Sequence, residues 1–280
     1  MITRSVDLKK EYPFLQGGQL ECIGMDYPLD DKMSENWKRP AVIVVPGGGY
    51  GMVSKREGQP VAMGFLDRGF QVFVLTYLIV SDGVRYPEQF LEVASATDYV
   101  KKHAKEFFVN PDEVFVVGFS AGGHLTGNLA IEYASASEKA GVELDCKPTA
   151  VGLCYPVISK KHGHQGSYEN LLEGYTQEAK EELLKTLNLD EAVSENTPPA
   201  FLWTTANDGC VPADNALRYA LALANKGIEY ELHVYPRGNH GLSRGDLESC
   251  PWAGPLDTVR IRPWLDDCVS FFRLYTKEQF

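Results

Sequence analysis

Residues 112–134 read DEVFVVGFSAGGHLTGNLAIEYA. From Val114 to Phe119 the run is apolar and rich in β-branched and aromatic residues, the composition of a strand buried on both faces. The stretch after Gly123 leads into a helix. Between them Ser120 stands among Gly118, Gly122 and Gly123, whereas a plain connecting turn needs one glycine and has no use for a hydroxyl at its apex. Gly118-Phe119-Ser120-Ala121-Gly122 matches G-x-S-x-G at the handover from strand to helix. Glycines two before and two after the serine leave room for a sharp, strained turn. Such a turn lifts the hydroxyl into a crevice at the N-terminus of a helix, whose dipole favours a nearby anion. The pattern also occurs in turns without chemistry; its place after a buried strand is what points to a nucleophile.

Working outward, similar short apolar runs bounded by Gly, Pro, Asn or Asp lie at 40–46, 70–77, 113–119, 149–156, 199–206 and 230–236. They predict fully buried parallel strands. Helices are predicted between them over 87–107, where Phe90, Val93, Ala94 and Thr97 recur at helical spacing, and over 211–227 and 263–278. The alternation predicts an α/β fold, a doubly wound, mostly parallel sheet flanked by helices, with ligands at the carboxyl ends of the strands. Residues 21–29 predict one antiparallel strand beside it. The polar segment 159–197 is too long for an ordinary loop. It predicts a small cap insertion with one or two short helices within a single domain spanning 1–280, since no linker-like stretch divides the chain.

A serine nucleophile needs a base within hydrogen-bond reach. His240, in the glycine-flanked stretch YPRGNHGLS after the last predicted strand, is the candidate. His103 falls on a predicted helix face, His233 inside a strand, and His124 one turn after the serine, where packing or capping suits it better. His162 and His164 form an H-x-H pair in a polar loop, two metal-type ligands without a third nearby. The base in turn needs a carboxylate to fix its tautomer. Asp208, in TTANDGCVPADNA directly after the strand at 199–206, is the best placed between serine and histidine. Asp214 fits a helix first turn, and Asp190 lies in the insertion. An oxyanion also needs amide donors. The residue after the serine, Ala121, supplies one, and the glycine loop in VIVVPGGGYG (42–51) offers Gly48 and Gly49. Neither phosphate-loop pattern, G-x-x-x-x-G-K-[ST] or G-x-G-x-x-G, can be laid over that loop; an ordinary glycine turn is the remaining alternative.

PGGGY, GFSAGGHL, NDGCVPADNA and GNHGL, in this order, resemble the esterase branch of the α/β-hydrolase superfamily that includes hormone-sensitive-lipase-like enzymes. Within it the chain is most similar to bacterial acetyl xylan esterase-like proteins, over roughly residues 20–275. The lipase group usually opens its oxyanion loop with His; here Pro46 stands there, which moves the resemblance towards carbohydrate esterases. The resemblance implies Ser120 as nucleophile, Asp208 as acid, His240 as base, and Gly48, Gly49 and Ala121 as oxyanion donors. It implies no metal or organic cofactor. The partner it implies is a small-molecule ester, an acetylated oligosaccharide first among them. Tyr50, Glu57 and Trp252 could line a sugar-binding entrance or serve the structure. An amide hydrolase of peptidase or arylformamidase type and a broad short-chain carboxylesterase use the same three groups and stay open. A non-catalytic binder would be expected to have lost one of them.

With 27 basic and 38 acidic residues the chain carries a net charge of −11. Nucleic acid and anionic membrane surfaces would repel it. No stretch approaches 18 apolar residues, and the first 16 have no signal-type apolar core. Cys22, Cys146, Cys154, Cys210, Cys250 and Cys268 are scattered without a Cys-x-x-Cys pair, which reads as free thiols. Together these predict a cytoplasmic protein, with the oligomeric state, including a homo-oligomer, left open.

Overall fold

The computed structural model describes residues 1–26 and 38–277. Six strands run parallel: β3 (Arg39–Val45), β4 (Gln71–Thr76), β5 (Val109–Phe119), β6 (Val151–Cys154), β7 (Ala200–Thr205) and β8 (Tyr230–Tyr235). Two more, β1 (Ile2–Asp7) and β2 (Gln19–Gly24), extend the sheet antiparallel, giving the order β1-β2-β4-β3-β5-β6-β7-β8. The order reverses at β3, so the carboxyl ends of β3 and β5 flank the switch point where open α/β sheets hold ligands.

Hydrophobic residues fill both faces of the central strands, which is why their sequences do not alternate with polar residues. Ile43 and Val45 of β3, with Val114 and Val116 of β5, join one core. Val42 and Val44, with Phe115 and Val117, join the other. The first core is covered by helices Glu88–Lys102 and Ala121–Glu132. The second is covered by Gln59–Asp67 and Trp264–Arg273, through Phe65, Trp264 and Phe272.

All six predicted strands are present within a few residues of their expected bounds, and so are the three predicted helices, observed as Glu88–Lys102, Asp214–Asn225 and Trp264–Arg273. β8 departs from full burial. It is the last strand of the sheet, and its residues are half-buried or exposed. The antiparallel strand expected at 21–29 is β2, shifted to Gln19–Gly24; positions 27–29 lie outside the described residues. β1 and the helix Gln59–Asp67 were not anticipated. The polar segment after β6 holds three helices rather than one or two: Gln165–Leu171, Gln177–Leu187 and Leu189–Ala192. Its Leu171, Leu172, Leu187 and Leu189 are buried in the first core, with Leu183 and Leu184 packed against it.

His124 ties that segment down. It is 1% exposed; its Nε2 lies 2.9 Å from the Leu187 carbonyl and its Nδ1 2.8 Å from the Tyr50 hydroxyl. A carbonyl can only accept, so Nε2 carries the proton and Nδ1 accepts from Tyr50. Burial pushes the imidazole pKa down to about 4, against a smaller opposing effect of the Leu187 hydrogen bond. Between pH 6.5 and 4 the unfolded chain therefore binds a proton that the folded chain refuses. Stability from the neutral imidazole is complete above about pH 6.5 and is lost as the pH falls towards 4. Urea titrations of the native protein and of His124→Gln should show a stability gap at pH 7.5 that narrows by roughly 2–3 kcal/mol at pH 4. Parallel pH curves for the two proteins would mean that His124 protonates freely within the fold.

Candidate active site

β5 and the helix Ala121–Glu132 meet at Ser120, whose backbone is left-handed with φ 53° and ψ −118°. A non-glycine residue there stores on the order of 1–3 kcal/mol of strain. The flanking glycines make the turn sterically feasible. A Cβ on Gly122 would lie 2.3 Å from the carbonyl oxygens of both Val45 and Pro46, and one on Gly118 only 2.1 Å from the Gly122 carbonyl. The Ser120 amide donates to the Cys154 carbonyl, and its own carbonyl accepts from His124 and Val157, so the strained unit is anchored on both sides. Ser120 is half-buried between fully buried neighbours Phe119 and Ala121.

The loop after β8 brings His240 to it. Ser120 Oγ is 2.8 Å from His240 Nε2, and His240 Nδ1 is 2.7 Å from Asp208 Oδ2, across 120 and 32 positions of sequence. With Nδ1–H donating to the carboxylate, Nε2 is left to accept the serine proton. The Asp208 side chain is 1% exposed, and its other oxygen accepts the amides of Cys210 and Val211, both at 2.9 Å. Thr205 donates to the Gly238 carbonyl and Asn207 accepts the Gly238 amide, fastening the histidine loop to the end of β7.

Gly48 and Gly49 lie in the loop that follows β3, at φ 129° and 63°. Among the described residues, the amides of Gly48, Gly49 and Ala121 have no protein acceptor. The preceding amide, Gly47, is committed to Glu57 Oε2 at 2.9 Å. The Gly49 carbonyl accepts from Asn170 at 2.8 Å, linking the glycine loop to the segment after β6. This loop lies against the serine turn, since Gly122 is pressed against Val45 and Pro46 and Gly47 against Ser120.

The other candidates are placed elsewhere. Of the residues left open between an entrance and the structure, Tyr50 is 1% exposed and engaged with His124, and Glu57 is 2% exposed. Both serve the interior, because each is enclosed by groups that take its polar atoms. Trp252 is exposed, with the Arg56 guanidinium 4.3 Å from its ring centroid. His162 faces Asp214 at 3.3 Å and His164 faces Ser167 at 3.0 Å, so the two rings have separate partners. His103 stacks on Tyr99, and His233 meets Glu231 within its own strand. Asn207 and Tyr155, whose ring lies edge-on to His240 at 5.0 Å, escaped the sequence reasoning. Asn207 adjoins the predicted acid and could have been flagged by that adjacency; nothing in the spacing marks Tyr155.

The chain resembles known proteins in both sequence and structure. The BD-FAE family profile matches residues 25–223. Endo-1,4-beta-xylanase B of Butyrivibrio fibrisolvens is 34% identical over 227 residues, covering 79% of this chain and 35% of that protein. The acetylxylan esterase of Xylanibacter ruminicola is 34% identical over 220 residues, covering 76% of this chain and 43% of that protein. The chain thus spans less than half the length of these two relatives. The crystal structure of an acetyl ester-xyloside bifunctional hydrolase from Caldicellulosiruptor lactoaceticus superposes with a TM-score of 0.80 at 30% identity, covering 97% of this chain and 96% of that one. Architecture and similarity agree, and the chain belongs to the BD-FAE family, among α/β hydrolases whose named members are mostly carboxylic-ester hydrolases.

Proposed function

We propose that the chain is a serine esterase that removes short acyl groups, acetyl above all, from xylan-derived or other carbohydrate esters. The observation that carries this is the unbroken relay from Asp208 through His240 to Ser120 Oγ, with links of 2.7 and 2.8 Å. The names of the xylanase and acetylxylan esterase relatives support the substrate class.

In this mechanism Ser120 Oγ attacks the ester carbonyl carbon while His240 Nε2 takes its proton. Asp208 holds the imidazole in the required tautomer and balances the imidazolium. The carbonyl oxygen, now an anion, is met by the amides of Gly48, Gly49 and Ala121. The C–O bond breaks and the sugar hydroxyl leaves with the proton from His240. Water then releases the acid from Ser120 by the same route. Residues 1–280 act as a single domain, with 159–197 as a cap.

Ser120→Ala should abolish ester hydrolysis while keeping the fold, because the turn accepts a smaller side chain. Asp208→Asn should cut kcat roughly 10³–10⁴-fold by offering the histidine the wrong hydrogen-bond partner. A serine-directed organophosphonate should label the native protein once, with peptide mapping placing it at Ser120. Full activity in the alanine variant, or a label elsewhere, would remove the nucleophile from this assignment.

Acyl length provides a second test. Leu171, Leu172, Leu187 and Leu189 of the cap point into the core, and the rest of that segment is largely polar, which leaves little to line a long acyl trough. Each methylene buried in a fitting trough would contribute about 0.8 kcal/mol. With p-nitrophenyl acetate, butyrate and octanoate, kcat/KM should fall along the series, and acetylated xylo-oligosaccharides should be cleaved well ahead of aminoacyl anilides. A steady rise towards octanoate would favour a lipid-directed enzyme, and preference for the anilides an amide hydrolase.

A further inference from the structure

Glu57 takes no part in the mechanism above, yet it is an acid of 2% exposure set among the segments that carry the site. Its Oε2 accepts the Gly47 amide at 2.9 Å and its Oε1 accepts the Tyr155 hydroxyl at 2.7 Å. The Tyr155 oxygen in turn accepts the Ser243 amide at 2.9 Å. Ser243 Oγ donates to the Arg56 carbonyl at 2.9 Å, and the Arg56 guanidinium donates to the carbonyls of Gly241 and Ser249, each at 2.8 Å. One carboxylate thereby joins the glycine loop after β3, the end of β6 and the loop that carries His240.

The arrangement is costly, which makes it informative. Among the described residues no ion pair reaches Glu57, and a buried carboxylate without a cation is tolerated only for its hydrogen bonds. Tyr155 and Ser243 also hold left-handed backbones, with φ 37° and 51°, a strain kept only where surroundings over-determine it. At Gly47 a Cβ would lie 3.0 Å from Glu57 Oε2 and 2.9 Å from Ser120 Cβ, so the carboxylate and the serine face each other across a single glycine.

Given the serine-esterase function proposed above, we infer that Glu57 is a positioning residue for the oxyanion loop and the base. By holding the Gly47 amide, it fixes the peptide that leads into Gly48 and Gly49. Through Tyr155 it holds the His240 loop at a set separation from that same peptide. Donors aimed at a developing oxyanion lose about 10²-fold when misplaced by about 1 Å, and the ground-state ester gains little from them. The loss of Glu57 should therefore register in the chemical step rather than in substrate binding.

Glu57→Gln keeps shape and volume but presents one acceptor where two donors need one each. Stopped-flow acylation with p-nitrophenyl acetate, expressed per phosphonate-titrated site, should show the acylation rate constant falling roughly 10–100-fold. The substrate dissociation constant should stay within about twofold. Glu57→Asp, which keeps both acceptors, should recover part of the loss. Tyr155→Phe should give a smaller fall that does not add to that of Glu57→Gln in the double variant, and it carries the test if the glutamine variant does not fold. Acylation within twofold of native in Glu57→Gln and Tyr155→Phe overturns the positioning role, as does a loss confined to the dissociation constant. If the native protein takes no phosphonate at Ser120, the serine-esterase function fails and this inference with it.

Discussion

Ser120 keeps its left-handed backbone because Gly122 must slide beneath the carbonyls of Val45 and Pro46, and that close approach binds β3 to the helix after β5. The rest of the crevice edge follows from it. The loop leaving β3 passes against the serine at Gly47, where an added Cβ would lie 2.9 Å from Ser120 Cβ. Nothing larger than hydrogen fits at Gly47 or Gly122 without displacing backbone. The strain at Ser120 and the absence of side chains at Gly118 and Gly122 are two aspects of the same packing problem.

The central strands were legible because burial on both faces leaves an uninterrupted apolar run, and β3 and β7 are buried at every position. β1 was not, since its sequence, ITRSVD, is largely polar and it lies on the sheet's outer edge, where one side of the strand meets solvent. The helix Gln59–Asp67 begins after a 3₁₀ turn and contains Pro60 and Gly64, which blur its periodicity. Within the site, Ser120, Asp208 and His240 could be picked out because each follows a strand in a loop with turn-forming neighbours. Glu57 and Tyr50 stayed open between entrance and interior for the opposite reason. A charged or hydroxylated side chain beside glycines looks exposed in sequence, and only tertiary packing reveals that its polar atoms are consumed inside.

The histidines illustrate how environment assigns roles to one side chain. His124 is enclosed, hydrogen-bonded at one nitrogen by the Tyr50 hydroxyl and at the other to the Leu187 carbonyl, and held neutral by burial. His240 is also bonded at both nitrogens, but to a carboxylate and to a hydroxyl at the crevice edge. The first arrangement fastens the segment after β6 to the helix behind the serine. The second sets the imidazole between the Asp208 carboxylate and the half-buried Ser120 hydroxyl.

β8 pairs with β7 alone and has no fully buried residue, yet the loop beyond it delivers His240. A sheet opens first at such an edge, in local excursions that leave its centre intact. When that edge frays, the strained serine stays in place while His240 is carried away from it. The contact between Ser120 and His240 and the global fold are thus separable in this molecule. The population in which the two side chains are joined is governed by the free energy of docking one peripheral strand, a smaller quantity than the stability of the whole.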